Sequence, residues 1–353
     1  MSQFLKLGKL YFLGEKDLLT GEKSKYVKIG LVNGEERDTE FRIKEHQTGN
    51  PRKIFDYHTI ELKGISTIET IMHKLFARNR VYGEWFLFDE EQLNNAIQKA
   101  EELKREIESD EQYLSAADLA SKAKPEDLTD LRSPSSDELS ILEKIKNLKL
   151  ELIQLNFEQS VLEAKIKLAM QNYKGIEGIL KVEPKRESES LDTARLKKDN
   201  PDLYSKYTET KESFKREFKI EIKNPTANKI IGERYTQLKG DKEHIPQLYS
   251  QLNQIELKLT DDLKNLHFQY LETFGKAEAV EFEIDLHTTI IQGMCGYARG
   301  IEEVCSYDFV NKESNIFSKD KFKEEHPDLY SQYLKVGETE VKYTLLDYRP
   351  YAG

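Results

Sequence analysis

The feature that most narrows the fold is a tandem repeat in the C-terminal half of the chain. The first copy reads LEAKIKLAMQNYKGIEGILKV, LDTARLKKDNPDLYSKY and SFKREFKIEI; the second reads LHTTIIQGMCGYARGIEEVCSY, FSKDKFKEEHPDLYSQY and ETEVKYTLLD. Met170 aligns with Met294, Gly175 with Gly300, Leu196 with Phe322, and the block Pro201 to Tyr207 with Pro327 to Tyr333. The offset drifts only from 124 to 126 residues, so one unit was duplicated. Each unit reads as long helix, strand, short helix, strand, with its strands expected to pair across its own short helix. Tyr204, Tyr207, Tyr330 and Tyr333 are expected to pack, with base stacking as the alternative.

Ahead of the first copy, Leu139, Leu142, Ile145, Leu148, Leu152, Leu155, Leu162 and Ile166 recur at spacings of three, four and seven. That periodicity predicts either a coiled-coil arm that dimerises or one helix of an internal hairpin. A second arm is expected at 246–274, so homo-oligomerisation through 137–172 and 246–274 is one expectation. Residues 110–136 are small, polar and acidic with two prolines, and predict a linker.

The first hundred residues have a different grammar. KLYFLG (9–14) and KYVKIGLV (25–32) are β-rich runs around a turn-forming segment, and predict two antiparallel strands. Asp38 or Thr39 is placed to cap a helix to about Gln47 that puts Arg42 and His46 on one face. A third strand is expected at 54–62, a helix from Ser66 to about Asn79, a strand at EWFLF, and a helix from Asp89 to about Ser109. In the Ser66 helix, Ile65, Ile68, Met72, Leu75 and Phe76 form an apolar stripe, and Glu69 falls inside it. A carboxylate there costs several kcal/mol unless compensated, by order of magnitude. A divalent metal or an arginine is the usual compensation, and a purely structural pair with Arg42 is the plain alternative.

Charge is distributed unevenly. The chain carries −10 overall, yet residues 1–100 hold 16 Lys and Arg against 15 Asp and Glu. The acidity therefore lies in the extension, and a near-neutral first domain retains the capacity to bind DNA through a local basic patch and a metal. No apolar run approaches membrane-span length and no signal peptide is legible, which makes the cytoplasm the expected compartment, with no membrane partner. Cys295 and Cys305 form no CxxC pair and are expected as reduced thiols.

Taken together, Tyr11, the Lys28–Ile29–Gly30 triplet, Arg42, Glu69 and the closing Glu84–Trp85–Phe86 resemble the GIY-YIG nuclease superfamily, in the branch whose second motif reads Lys-Ile-Gly. The resemblance covers about a quarter of the chain. Lys28 stands where many members carry a second tyrosine, and some restriction-enzyme members resemble this chain in bearing a lysine there. Each duplicated unit separately resembles the tail of YqaJ-type phage exonucleases, which points to DNA processing without supplying catalytic residues.

The resemblance implies an α+β fold: a small antiparallel sheet flanked by helices, then a long-helix extension bearing two helix-strand-helix-strand units. The expected divisions are a nuclease domain at 1–109, the acidic linker at 110–136, a helical arm with the first unit at 137–222, and a second arm with the second unit at 223–353. It implies a metal-dependent DNA endonuclease using Mg²⁺, with Mn²⁺ as a substitute, held by Glu69 and water. Arg42 would clamp the phosphate. Tyr11 would be the general base, with Lys28 close enough to lower its pKa; His46 and His73 would orient or donate to phosphate. Arg52, Lys53, Lys74, Arg78 and Arg80 would form a DNA-holding rim, and Trp85 and Phe86 the core. The rival expectations are a non-catalytic DNA-binding or scaffold protein, and an acidic extension that mimics DNA or docks a protein partner. Restriction-like defence, phage DNA metabolism and repair each accommodate such an enzyme.

Overall fold

The computed structural model describes residues 3–34, 38–185, 190–222, 227–335 and 339–351. The N-terminal part builds β1 (Gly8–Lys16), β2 (Lys23–Asn33), α1 (Thr39–Gln47), β3 (Lys53–Leu62), α2 (Ile65–Leu75), β4 (Arg80–Tyr82), β5 (Trp85–Leu87) and α3 (Glu90–Ser109). The five strands form one sheet in the order β3-β1-β2-β5-β4. Alternation along β1 and β2 sends Leu10, Phe12, Val27 and Ile29 to the face covered by α2 and α3. Tyr11 and Leu13 go to the opposite face, with Ile43 of α1. Asp38 caps α1 as expected, and Asp89 caps α3 in a capping box with Gln92.

The stretch expected as a linker is instead structured and packed. It contains α4 (Glu111–Ala120), with Leu114, Ala117 and Ala120 buried. Thr129 and Arg132 then bridge to Ala298 and Ile301. Arg132 also pairs with the buried carboxylate of Glu138, which caps the following helix together with Ser135. Small residues make this segment look like a tether, but alanine is what lets a helix lie close against another.

The extension is organised by two 35-residue helices, α5 (Ser136–Met170) and α10 (Asp261–Cys295). Leu142, Ile145 and Leu148 meet Val280, Ile284 and Ile291, whereas Ile166 and Met170 meet Leu263, Tyr270 and Leu271, so the helices run antiparallel. The leucine stripe expected as a dimerisation arm therefore finds its partner inside the chain. The second helix starts at Asp261 and not near 246.

Between α5 and α10 lie β6 (Gly175–Ile176), β7 (Leu180–Pro184), β8 (Ser190–Leu191), α6 (Thr193–Asp199), α7 (Pro201–Lys206), β9 (Thr208–Ile220), α8 (Ala227–Ile231) and α9 (Glu233–Glu243). After α10 come β10 (Gly300–Ile301), β11 (Cys305–Phe317), α11 (Lys319–Glu325), α12 (Pro327–Gln332), β12 (Leu334–Lys335) and β13 (Val341–Leu345). Apart from the short hairpins β6–β7 and β10–β11, the strands pair between the repeats and not across each unit's own short helix. β9 runs along β11 from Thr208↔Phe317 to Ile220↔Cys305, and the equivalent second ribbon joins β7 to β13 and β8 to β12. The ribbons meet at a cluster of Leu191, Leu196, Tyr207, Phe322 and Tyr333, so two of the repeated tyrosines are buried packing residues. Arg216 of β9 ties one ribbon to the helix ends, donating to the carbonyl oxygens of Ala120 (2.9 Å), Gly296 (3.0 Å) and Ala298 (2.6 Å). Cys295 and Cys305 are free and buried.

The two parts share one core. Phe282, Leu286 and Ile290 of α10 and Leu114 of α4 belong to the same cluster as Phe4, Ile68 and Met72. The helices approach closely at Gly275, where an added Cβ would stand 3.0 Å from the carbonyl oxygens of both Lys74 and Leu75. Gly275→Val is expected to destabilise the chain by about 1–3 kcal/mol through overpacking; an unchanged denaturant midpoint would refute this account of the junction.

Candidate active site

Tyr11 is fully buried and pairs in the sheet with Gly30. A side chain at position 30 would overlap the Tyr11 ring and hydroxyl, so the glycine of the Lys-Ile-Gly triplet makes room for the tyrosine of the neighbouring strand. The hydroxyl lies 3.4 Å from Nε2 of His46 and beside the Arg42 guanidinium. Burial raises the Tyr11 pKa, and the opposing influence of Arg42 does not reverse it. The expected lowering by Lys28 is not what the structure shows. Lys28, 8 % exposed, sits opposite Leu13, and its ammonium bonds the carboxylate of Glu84.

Glu84 is the site residue that reasoning on the sequence left unassigned. Burial pushes its carboxyl up, but the hydrogen bond and charge of Lys28 outweigh that and hold it below its ordinary value. Its position was legible in the closing Glu-Trp-Phe motif. Its partner became visible only through the register that sets Trp85 against Lys28.

Glu69 stands on α2 between Ile68 and Met72, both buried. Its plain reading, a structural pair with Arg42, does not hold, because Arg42 pairs with Glu45 at 2.6 Å. Among the described residues no group forms a hydrogen bond or ion pair with Glu69. Burial, reinforced by the charge of Glu84, pushes its pKa up to about 7 despite Lys28 and Arg80. One helical turn on, His73 is fixed by a 2.9 Å hydrogen bond to the Ile29 carbonyl oxygen. Burial first, then Lys28 and Arg42, lower the pKa of His46, so its ring is neutral at pH 7. Arg42 adds a second uncompensated feature: its Nε is buried without a hydrogen-bond partner.

Tyr11, Lys28, Arg42, His46, Glu69 and His73 are thus gathered around positions 28–30 of β2. The expected rim is only partly so. Arg52 lies 3.8 Å from Glu15 and Lys53 is exposed. Lys74, Arg78 and Arg80 instead pair with the extension, reaching Glu278 (2.6 Å), Glu272 (3.7 Å) and Asp347 (3.7 Å). Lys74 and Arg78 help dock the N-terminal part on α10. Arg80 remains near enough to the site to influence Glu69.

Residues 8–101 match the T5orf172 domain. That domain is related to GIY-YIG-like nuclease folds, and every residue of the cluster falls within the matched span. No curated protein and no solved structure gives a match. Among the described residues no helix is long and apolar enough to cross a membrane.

A dehydrated carboxylate without a partner fits a cation. Among the described residues no cluster of three or more His, Cys, Asp or Glu could hold a metal ion, so Glu69 would share the ion with water, a donor set that suits Mg²⁺. A raised carboxyl pKa adds stability that is full below the ordinary value and is lost as pH rises through about 7. Glu69→Gln is therefore expected to stabilise the metal-free protein at pH 8 by about 1 kcal/mol, allowing for solvent screening, and to be neutral at pH 5. Destabilisation at pH 8 would reveal a structural partner.

Proposed function

We propose that the T5orf172 domain is a metal-dependent endonuclease that hydrolyses DNA phosphodiester bonds. The observation that carries this reading is the Glu69 carboxylate, which has no hydrogen-bond or ion-pair partner, in one cluster with the Arg42 guanidinium, which pairs with Glu45 yet keeps its Nε buried and unbonded. An inert fold would have paired them with each other.

Mg²⁺ held at Glu69 would supply Lewis-acid stabilisation of the phosphate and of the departing oxygen. Arg42 offers its free donor to a non-bridging oxygen, where negative charge grows in the transition state. Tyr11, with its raised pKa, is not a phenolate at rest. It acts as a relay, accepting a proton from the attacking water while its own hydroxyl proton passes to the neutral Nε2 of His46. Lys28 and Glu84 hold each other and set the local charge, so Lys28 serves the site without titrating Tyr11. His73 is a positioning residue, tying α2 to β2. The extension, whose repeats resemble phage exonuclease tails, is read as presenting this site to DNA or to a partner.

Arg42→Ala and Glu69→Ala are each expected to lower cleavage of a duplex oligonucleotide by about 100-fold or more, with binding retained. Full activity of both variants in Mg²⁺ would support a non-catalytic DNA-binding or scaffold role instead. Since Glu69 must be ionised to take a metal, the rate should rise as pH passes through about 7 at limiting Mg²⁺. A tenfold increase in Mg²⁺ should move that limb to lower pH by up to about one unit. A limb insensitive to Mg²⁺ would remove Glu69 from metal binding.

A further inference from the structure

A second cluster of positive charge, only partly compensated, lies away from the active site. A cavity of about 230 Å³ opens where β2, the segment after α2, the start of α3 and the C-terminal tail meet. Three cations line it: Lys25, Arg78 and Arg349, against one carboxylate, Asp89. Asp89 is already used as a helix cap, accepting from the Gln92 backbone at 2.8 Å. Arg78 is held in place from behind, its guanidinium 3.9 Å from the centre of the Phe268 ring and 3.7 Å from Glu272.

The other two cations are unengaged. The Arg349 backbone is anchored by a 2.7 Å hydrogen bond to the Arg80 carbonyl oxygen, yet its side chain makes no hydrogen bond or ion pair and its Nε is buried without a partner. Lys25 is exposed at the mouth, also without an ion pair. In a chain of net charge −10, acidic side chains abound, so a pocket in which two of three cations, Lys25 and Arg349, stand without an acidic partner is a site awaiting an anion. A guanidinium fork with a free edge, a second guanidinium braced on an aromatic ring and a lysine at the rim match the several oxygens of a tetrahedral oxyanion better than a single carboxylate.

We propose that Lys25, Arg78 and Arg349 form a phosphate-binding pocket. It lies three residues along β2 from Lys28, about 10 Å, and none of its lining residues belongs to the cleavage cluster, so it is distinct from the cleavage site and does not depend on that site's activity. The phosphate is supplied either by a small phosphorylated compound or by the DNA backbone, and both present the same group.

The test titrates the full chain with inorganic phosphate, against chloride at matched ionic strength, and follows thermal unfolding and calorimetric binding. Wild type is expected to be stabilised by phosphate specifically, and Arg349→Gln to weaken binding about tenfold, with Arg349→Lys intermediate. Lys25→Gln, at an exposed position, should weaken binding without disturbing the fold. Stabilisation absent in wild type, or equal in wild type, Lys25→Gln and Arg349→Gln, would overturn the proposal. A parallel salt titration with duplex DNA identifies the source. Loss of about one unit of salt slope in Arg349→Gln assigns the pocket to backbone phosphate. An unchanged slope with lost phosphate binding assigns it to a small phosphorylated ligand.

Discussion

The antiparallel pairing of α5 and α10 is the constraint on which the rest depends. Each helix has 35 residues, and α10 carries buried residues on several sides because it packs α5 on one face and the N-terminal part on another. Gly275 permits the contact with α2, and Phe282, Leu286 and Ile290 extend the core of the sheet. Both ribbons spring from the ends of this pair, one tied down by Arg216. The nuclease-like part is therefore not a bead on a string. Its orientation is fixed by a hydrophobic junction, and Lys74 and Arg78 are committed to α10 on that side.

That rigid support explains how the site tolerates unfavourable electrostatics. Glu69 is held half-buried on a helix whose apolar neighbours are locked into the core, so its carboxylate gives up part of its hydration. Arg42 is similarly held, with Nε enclosed. Two groups of opposite charge are kept apart, Arg42 on α1 and Glu69 on α2, and on the proposed function this arrangement is the preorganisation that charge stabilisation in a transition state requires.

Much of this was legible in the sequence, for identifiable reasons. The helix cap at Asp38, the strands around Tyr11 and Gly30 and the anomaly of Glu69 follow from local periodicity, which local residues control. The partner of Lys28 was not legible, because a strand register set by a three-residue β5 decides it. The segment 110–136 was misread, since small residues signal a linker and close helix packing alike. The leucine stripe of α5 announced a partner without saying whether it lay in the same chain. The duplication gave both units the same strand edges, so pairing within and between units looked alike in sequence; the structure takes the exchange between them.

The acidity of the extension and the near neutrality of the first hundred residues also find a structural reading. Acidic side chains on α10 and in the tail pair with Lys74, Arg78 and Arg80, which leaves Glu69 at the site and Lys25 and Arg349 in the pocket beside the C-terminal tail without a charged partner. The most direct test of the central claim is incubation of supercoiled plasmid with the full wild-type chain, with Mg²⁺ and with chelator. The account predicts nicked or linear product with Mg²⁺ alone; plasmid left supercoiled in both, by protein that binds it, would contradict it.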